Sequence, residues 1–115
     1  MDAASRSGVI SFAEARERIP GPNGERNILA FKRGTLDVKL VVPVPPNPQT
    51  PHAQDEIYIV LRGRGIFVHG GVRERFGPGD ILFVAAGIEH HYESYSDDFV
   101  LWRIFYGAEG GEIPA

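Results

Sequence analysis

The sequence contains no cysteine, which excludes a disulfide framework and any thiolate metal site. It has no long hydrophobic run: the longest, Ile81 to Ile88, is far too short to span a bilayer. The opening MDAASRSG lacks the apolar stretch of a signal peptide, so a cytoplasmic protein is expected. There is no excess of basic residues. A formal net charge of −3 and the want of a helix-turn-helix pattern argue against a nucleic-acid partner, as the short apolar runs argue against a membrane.

Glycine and proline are abundant. The 14 glycines and 9 prolines fall as regular breaks between short apolar runs. With 115 residues, the chain is expected to form one domain, residues 10–115, behind a flexible tail at 1–9. Ser11-Phe12-Ala13-Glu14 has the pattern of a capping box and predicts a short helix that stops near Pro20. From residue 27 the texture is β. TLDVKLVV sets Leu36, Val38, Leu40 and Val42 against Thr35, Asp37, Lys39 and Val41. The runs EIYIVLRG, GIFVHG, GVRERFG, ILFVAA, EHHYESY and FVLWRIFY follow, with HGG as a tight hairpin turn and GPGD as another. The sum is about eight short strands with frequent turns, an all-β sandwich or barrel.

One stretch, TPHAQDEIYIVLRG at 50–63, poses a problem. Alternation by two places His52, Gln54 and Glu56 on one face, continued by Tyr58 and Val60. If that face points inward, the buried carboxylate of Glu56 needs a compensating partner. A second polar cluster, GIEHHYES, brings His90 and Tyr92 to one face of another strand and His91 to the other. Two imidazoles and a carboxylate from neighbouring strands suit a first-row divalent metal and leave coordination positions open. The competing reading places both histidines at loop edges, bonded to backbone.

At these residues the chain resembles the cupins. The first cupin motif is G-x5-H-x-H-x3,4-E-x6-G, and Glu56 to Gly63 keeps its last spacing, with His52 at the second histidine. The second motif, G-x5-P-x-G-x2-H-x3-N, aligns with Gly79, Ala85, Gly87, His90 and Ser94. Thr50 stands where the first histidine would be, Val44 replaces the first glycine, Ala85 the proline and Ser94 the asparagine. A second alignment makes His52 the first histidine and Gln54 the replaced second one. Either way His52, Glu56 and His90 are the strong ligands, with Gln54 as the substitute for the missing imidazole. His69 and His91 are weaker candidates.

The resemblance implies a cupin double-stranded β-helix, a jelly-roll barrel, with a divalent transition metal ion (Fe, Mn, Ni, Zn or Co) at its centre and a small-molecule ligand entering from one end. It also implies a homodimer. The last strand, apolar on both faces, fits a cover on each side: the chain's own core and a partner. Two functions follow. One is a metal-dependent enzyme of dioxygenase, isomerase or lyase type acting on a small organic molecule, with Tyr58 and Tyr92 as acid/base or orienting groups. The other is a non-catalytic module that binds a metal or small molecule. Phe83 and either Trp102 or Arg103 are expected to complete the pocket wall. Arg62, Arg64, Arg73 and Arg75 offer either a cationic rim or solvated charges on edge strands.

Overall fold

The computed structural model describes residues 7–45 and 51–113. Its one helix is α1 (Phe12–Glu17). The Ser11 hydroxyl accepts the Glu14 amide N–H at 3.1 Å, half of the capping box read from the sequence. Ala15 and, just beyond the helix, Ile19 are buried against Leu40, Val42 and Val100. No helix among the described residues is long and apolar enough to cross a membrane.

Among the described residues, eight strands make two antiparallel sheets. They are β1 (Asn27–Arg33), β2 (Leu36–Val41), β3 (Asp55–Arg62), β4 (Gly65–His69), β5 (Val72–Phe76), β6 (Ile81–Val84), β7 (His90–Glu93) and β8 (Val100–Tyr106). The larger sheet runs β1-β2-β8-β3-β6 and the smaller β5-β4-β7. Sequence alternation decides which side of each strand is buried: Val38 and Leu40 in β2, and Leu82 and Val84 in β6. Between β4 and β5 the chain reverses on Gly70 and Gly71, whose φ values of 52° and 82° require the freedom of glycine. This is the expected all-β cupin-like arrangement. Of the tail expected at 1–9, residues 1–6 lie outside the described residues.

The core fills the space between the sheets. Tyr58, Val60, Leu82, Val84 and Leu101 from the larger sheet meet Phe67 and Tyr92 from the smaller, with Phe76 and Phe99 closing one end. Strand register orders the inner face of the larger sheet into rows. Asp37, Phe105, Glu56 and Val84 are directly opposite one another, and so are Lys39, Arg103, Tyr58 and Leu82. Residues paired in this way share a face.

The last strand is covered on both sides near its start, as its composition demands. Leu101 belongs to the inner core, and Val100 belongs to the cluster under the helical segment. There the outer cover is therefore the chain's own N-terminal segment.

Candidate metal centre

Three side chains far apart in sequence converge inside the sandwich. Glu56 comes from β3 and His90 from the first position of β7, while His52 lies just before β3. The His52 segment is pinned by two backbone hydrogen bonds, Gly87 N–H to His52 O at 2.8 Å and Gly110 N–H to Ala53 O at 2.7 Å. One donor atom from each of His52, Glu56 and His90 lies within 4.8 Å of the others.

The two carboxylate oxygens of Glu56 have different surroundings. Oε1 accepts the Tyr58 hydroxyl at 2.6 Å and lies 2.9 Å from His90 Nε2. Oε2 is buried with no hydrogen-bond partner among the described residues, and His52 Nε2 lies 3.9 Å from it. An orphaned buried carboxylate oxygen is costly, and this one is aimed at an imidazole nitrogen too far away to satisfy it.

His90 is oriented by its other nitrogen. Nδ1 is 3.0 Å from the Ile88 carbonyl oxygen, which can only accept, so Nδ1 carries a hydrogen and Nε2 faces Glu56. Tyr58 OH is 2.9 Å from that Nε2. Burial, the largest influence, favours the neutral imidazole, but the Glu56 hydrogen bond, the Ile88 carbonyl and the Glu56 charge outweigh it and hold the His90 pKa above the ordinary value. A proton on Nε2 thus bonds well where Tyr58 and Glu56 meet it. His52 moves the other way: burial lowers its pKa, His90 and Arg103 add to the lowering, and Glu56 opposes it. Burial raises the Tyr58 phenol far above its usual range, and Tyr92 and Glu56 push it the same way. Tyr58 is therefore a hydroxyl donor at neutral pH.

The donor set fits a divalent transition metal. Two imidazole nitrogens and a carboxylate oxygen with a free lone pair are hard-to-borderline ligands suited to iron, manganese, nickel, zinc or cobalt. The Ile88 carbonyl on His90 Nδ1 is the outer hydrogen bond that ligating histidines commonly make.

Other expected site residues are placed as follows. Tyr92 is inward and buried, its ring edge-on to Tyr58 with centroids 5.5 Å apart. Gln54 is not brought into the cluster. Its amide nitrogen donates to Gly107 O at 2.8 Å and approaches Thr35 O at 3.4 Å, tying the start of β3 to the ends of β2 and β8. Strand β3 begins only at Asp55, so alternation by two does not extend back to Gln54. Phe83 is no wall residue: it is 51% exposed, because β6 turns Leu82 and Val84 inward. Of Trp102 and Arg103, it is Arg103 that faces in, opposite Tyr58. His91 faces away from the core and pairs with Glu93 at 2.8 Å. His69 ends β4 directly opposite His90, with its ring stacked on Phe67 at 4.8 Å and its Nε2 2.6 Å from Glu74 Oε2. Arg62, Arg64, Arg73 and Arg75 are exposed, and Arg73 pairs with Glu93. Thr50 lies outside the described residues.

Two features were missed in the sequence. Asp55 is buried, accepting the Ala86 N–H at 3.0 Å and the Glu112 N–H at 2.9 Å, and so fastens the loop before β7 and the C-terminal segment to β3. The second is the pair Asp37 and Lys39 on the inner face of β2, beside Arg103, which the sequence had offered as the alternative to Trp102. Alternation alone points the other way, because Val38 and Leu40 make the apolar face of β2; the helical segment covers that face, which leaves Asp37 and Lys39 on the inner one.

Comparison with known proteins agrees with this geometry. The cupin domain profile matches residues 40–105, which contain both sheets except β1, most of β2 and the last residue of β8. The chain belongs to the cupin family. An uncharacterised protein of Streptomyces coelicolor is 35% identical over 103 residues, covering 90% of this chain and 83% of that protein. A cupin 2 conserved barrel domain protein from Salinispora arenicola superposes with a TM-score of 0.56 at 24% identity, over 65% of this chain and 66% of its own. The DMSP lyase DddQ from Ruegeria pomeroyi superposes with the same TM-score, 0.56, at 28% identity, over 65% of this chain but only 40% of the lyase.

Proposed function

We propose that this cupin is a metal-dependent enzyme acting on a small organic molecule, with the metal held by His52, Glu56 and His90. The observation that carries the reading is Glu56 Oε2: buried, without a hydrogen-bond partner among the described residues, and 3.9 Å from His52 Nε2. Three protein donors leave coordination positions for a substrate. A metal there would supply Lewis-acid polarisation or oxygen activation. The chain's own groups supply the rest. Glu56 and the two imidazoles fix the site between rigid strands. Tyr58, kept protonated by its surroundings, donates its one hydroxyl hydrogen to Glu56 Oε1, and would orient a substrate oxygen only by turning that hydrogen away from the carboxylate. Tyr92 holds the Tyr58 ring edge-on and restricts its movement. The likeness to a DMSP lyase at 28% identity makes lyase chemistry the first class to assay.

A second reading rests on Tyr58 itself. Its hydroxyl already spans Glu56 Oε1 and His90 Nε2, which closes part of the cluster without a metal and fits a binding module with no turnover.

One experiment tests the metal on which the enzyme reading rests. Metal per chain is measured by plasma mass spectrometry on untagged protein purified without chelator, beside the His52→Ala/His90→Ala double variant. About one equivalent in wild type and almost none in the variant supports the enzyme reading. No metal in wild type, and none after reconstitution, rejects it.

We further propose a homodimer. On the outer face of the larger sheet, Trp102, Ile59 and Ile81 form one row, and Ile104, Ile57 and Phe83 the next. Ile81 is 67% and Phe83 51% exposed. These rows carry no charge, so a second copy meets them across a two-fold axis without like-charge contact.

A further inference from the structure

The inner face of the larger sheet carries more charge than the metal reading uses. In the row that contains Tyr58, β8 contributes Arg103 and β2 contributes Lys39. In the row that contains Glu56, the same strands contribute Phe105 and Asp37. Arg103 is held in place by two contacts. Its guanidinium carbon lies 4.2 Å over the Phe105 ring, and Nη2 is 3.6 Å from Asp37 Oδ1. The Asp37 distance is too long for a hydrogen bond. Arg103 Nε and Asp37 Oδ1 are both buried with no hydrogen-bond partner among the described residues. The Arg103 side chain is 20% exposed, and water does not reach the buried Nε–H.

This group shares a wall with the candidate metal centre. The Phe105 ring beneath Arg103 also lies against His52, with centroids 4.7 Å apart. A guanidinium that is largely buried, seated over an aromatic ring and left with an unpartnered Nε–H among the described residues, is arranged to receive an anion. The local charge sets what kind. Lys39 and Arg103 against Asp37 leave one positive charge (two cations less one acid), which matches a single carboxylate better than a phosphate dianion.

We propose that Arg103, assisted by Lys39, anchors the carboxylate of a small organic-acid ligand whose other end reaches the His52–Glu56–His90 cluster. The place of that other end rests on the metal reading, whereas the anchor does not. Asp37 is the competitor: it holds one arm of the guanidinium until the ligand carboxylate takes the remaining donors.

The test is an NMR titration of the full chain with succinate, pyruvate and benzoate, and separately with inorganic phosphate. Wild type, Arg103→Gln and Asp37→Asn are compared, and metal content is measured on the same samples. At least one of the three carboxylates is expected to bind wild type. Its affinity falls about tenfold or more in Arg103→Gln, and rises in Asp37→Asn as the competing acid is removed. Failure of all three to bind at high millimolar concentration overturns the proposal. So does equal binding by Arg103→Gln, or phosphate binding more tightly than every carboxylate. If Arg103→Gln loses its native spectrum, Asp37→Asn decides: tighter binding upholds the anchor, and unchanged or weaker binding overturns it. Arg103-dependent binding in a protein that takes up no metal rejects the metal reading and keeps the anchor. Full metal occupancy without carboxylate binding does the reverse.

Discussion

Glu56 and His90, from strands of two different sheets, meet with Oε1 and Nε2 2.9 Å apart and 1% of each side chain exposed. This contact joins the sheets at the cluster and depends on both partners. Removing one member of a buried pair leaves the other uncompensated, at a cost of about 3–5 kcal/mol. Glu56→Ala also strips Tyr58 of its acceptor. It is expected to destabilise the metal-free protein by that amount. Glu56→Gln, which keeps a carbonyl oxygen for Tyr58, is expected to cost about 1–3 kcal/mol. Urea unfolding with chelator present measures both. A Glu56→Ala midpoint equal to that of wild type would show that the contact contributes nothing.

The two cluster histidines are expected to titrate on opposite sides of the ordinary value. In the metal-free protein His90 should lose its proton above pH 6.5 and His52 below it. Imidazole C–H shifts followed by NMR against pH read the two midpoints directly, and a reversed order would contradict the geometry. The stability signs follow. His90, with a raised folded pKa, contributes stability that is fully present below the unfolded value and is lost as pH rises through the folded one. His52, with a lowered pKa, contributes stability lost as pH falls below the unfolded value. The His52 side chain is 36% exposed and the His90 side chain 1%, so solvent screens His52 and His90 dominates. Stability of the metal-free protein should therefore decline as pH rises above about 6.5. Metal affinity should move the opposite way, since a metal on Nε2 must displace the proton that Tyr58 and Glu56 hold there.

The sequence made some of this arrangement legible and hid the rest, for identifiable reasons. Glycine and proline breaks delimited the strands because each strand is short and each turn tight. His52, Glu56 and His90 were legible because buried imidazole and carboxylate at motif spacing have few other uses. Gln54 misled because it sits in a bend before β3, where period-two alternation does not apply. Phe83 misled because ILFV is apolar on both faces, so composition cannot tell inside from outside. The same ambiguity in FVLWRIFY left Trp102 and Arg103 as alternatives, and strand register turned Arg103 inward. Ser94, at the motif asparagine position, has φ of 51°, a left-handed backbone that asparagine tolerates better than most residues. The motif preference there has a conformational reason separate from the metal.

Gly63, seven residues beyond Glu56 in that motif, has a similar physical role. Its φ is +94°, and a Cβ built on it would lie 2.6 Å from the Phe99 Cα. That contact is with backbone, so no rotamer change relieves it. Gly63→Ala should destabilise the protein by at least about 2 kcal/mol, through strain at positive φ and displacement of Phe99 from the core. Thermal unfolding, with Gly24→Ala as the comparison, tests this: Gly24 shares a positive φ of 83°, but a Cβ there meets nothing within 4 Å. Equal losses at the two sites would mean that the backbone conformation alone matters and the close approach does not.

The outer face of the larger sheet bears on how the barrel is used. Its helix-side end is covered by Ala15 and Ile19, which bury Leu40, Val42 and Val100. At the other end Ile81 and Phe83, on edge strand β6, remain largely exposed. A second copy seated on this end would bury them and cover the edge, which isolated sheets otherwise leave open to aggregation. Light scattering after gel filtration should therefore give twice the chain mass at micromolar concentration. Phe83→Arg should shift the population to monomer while leaving metal content unchanged, because Phe83 points away from the cluster. A wild-type monomer would reject the dimer. A Phe83→Arg protein that stays dimeric would instead move the interface elsewhere on the surface and leave β6 as an uncovered edge.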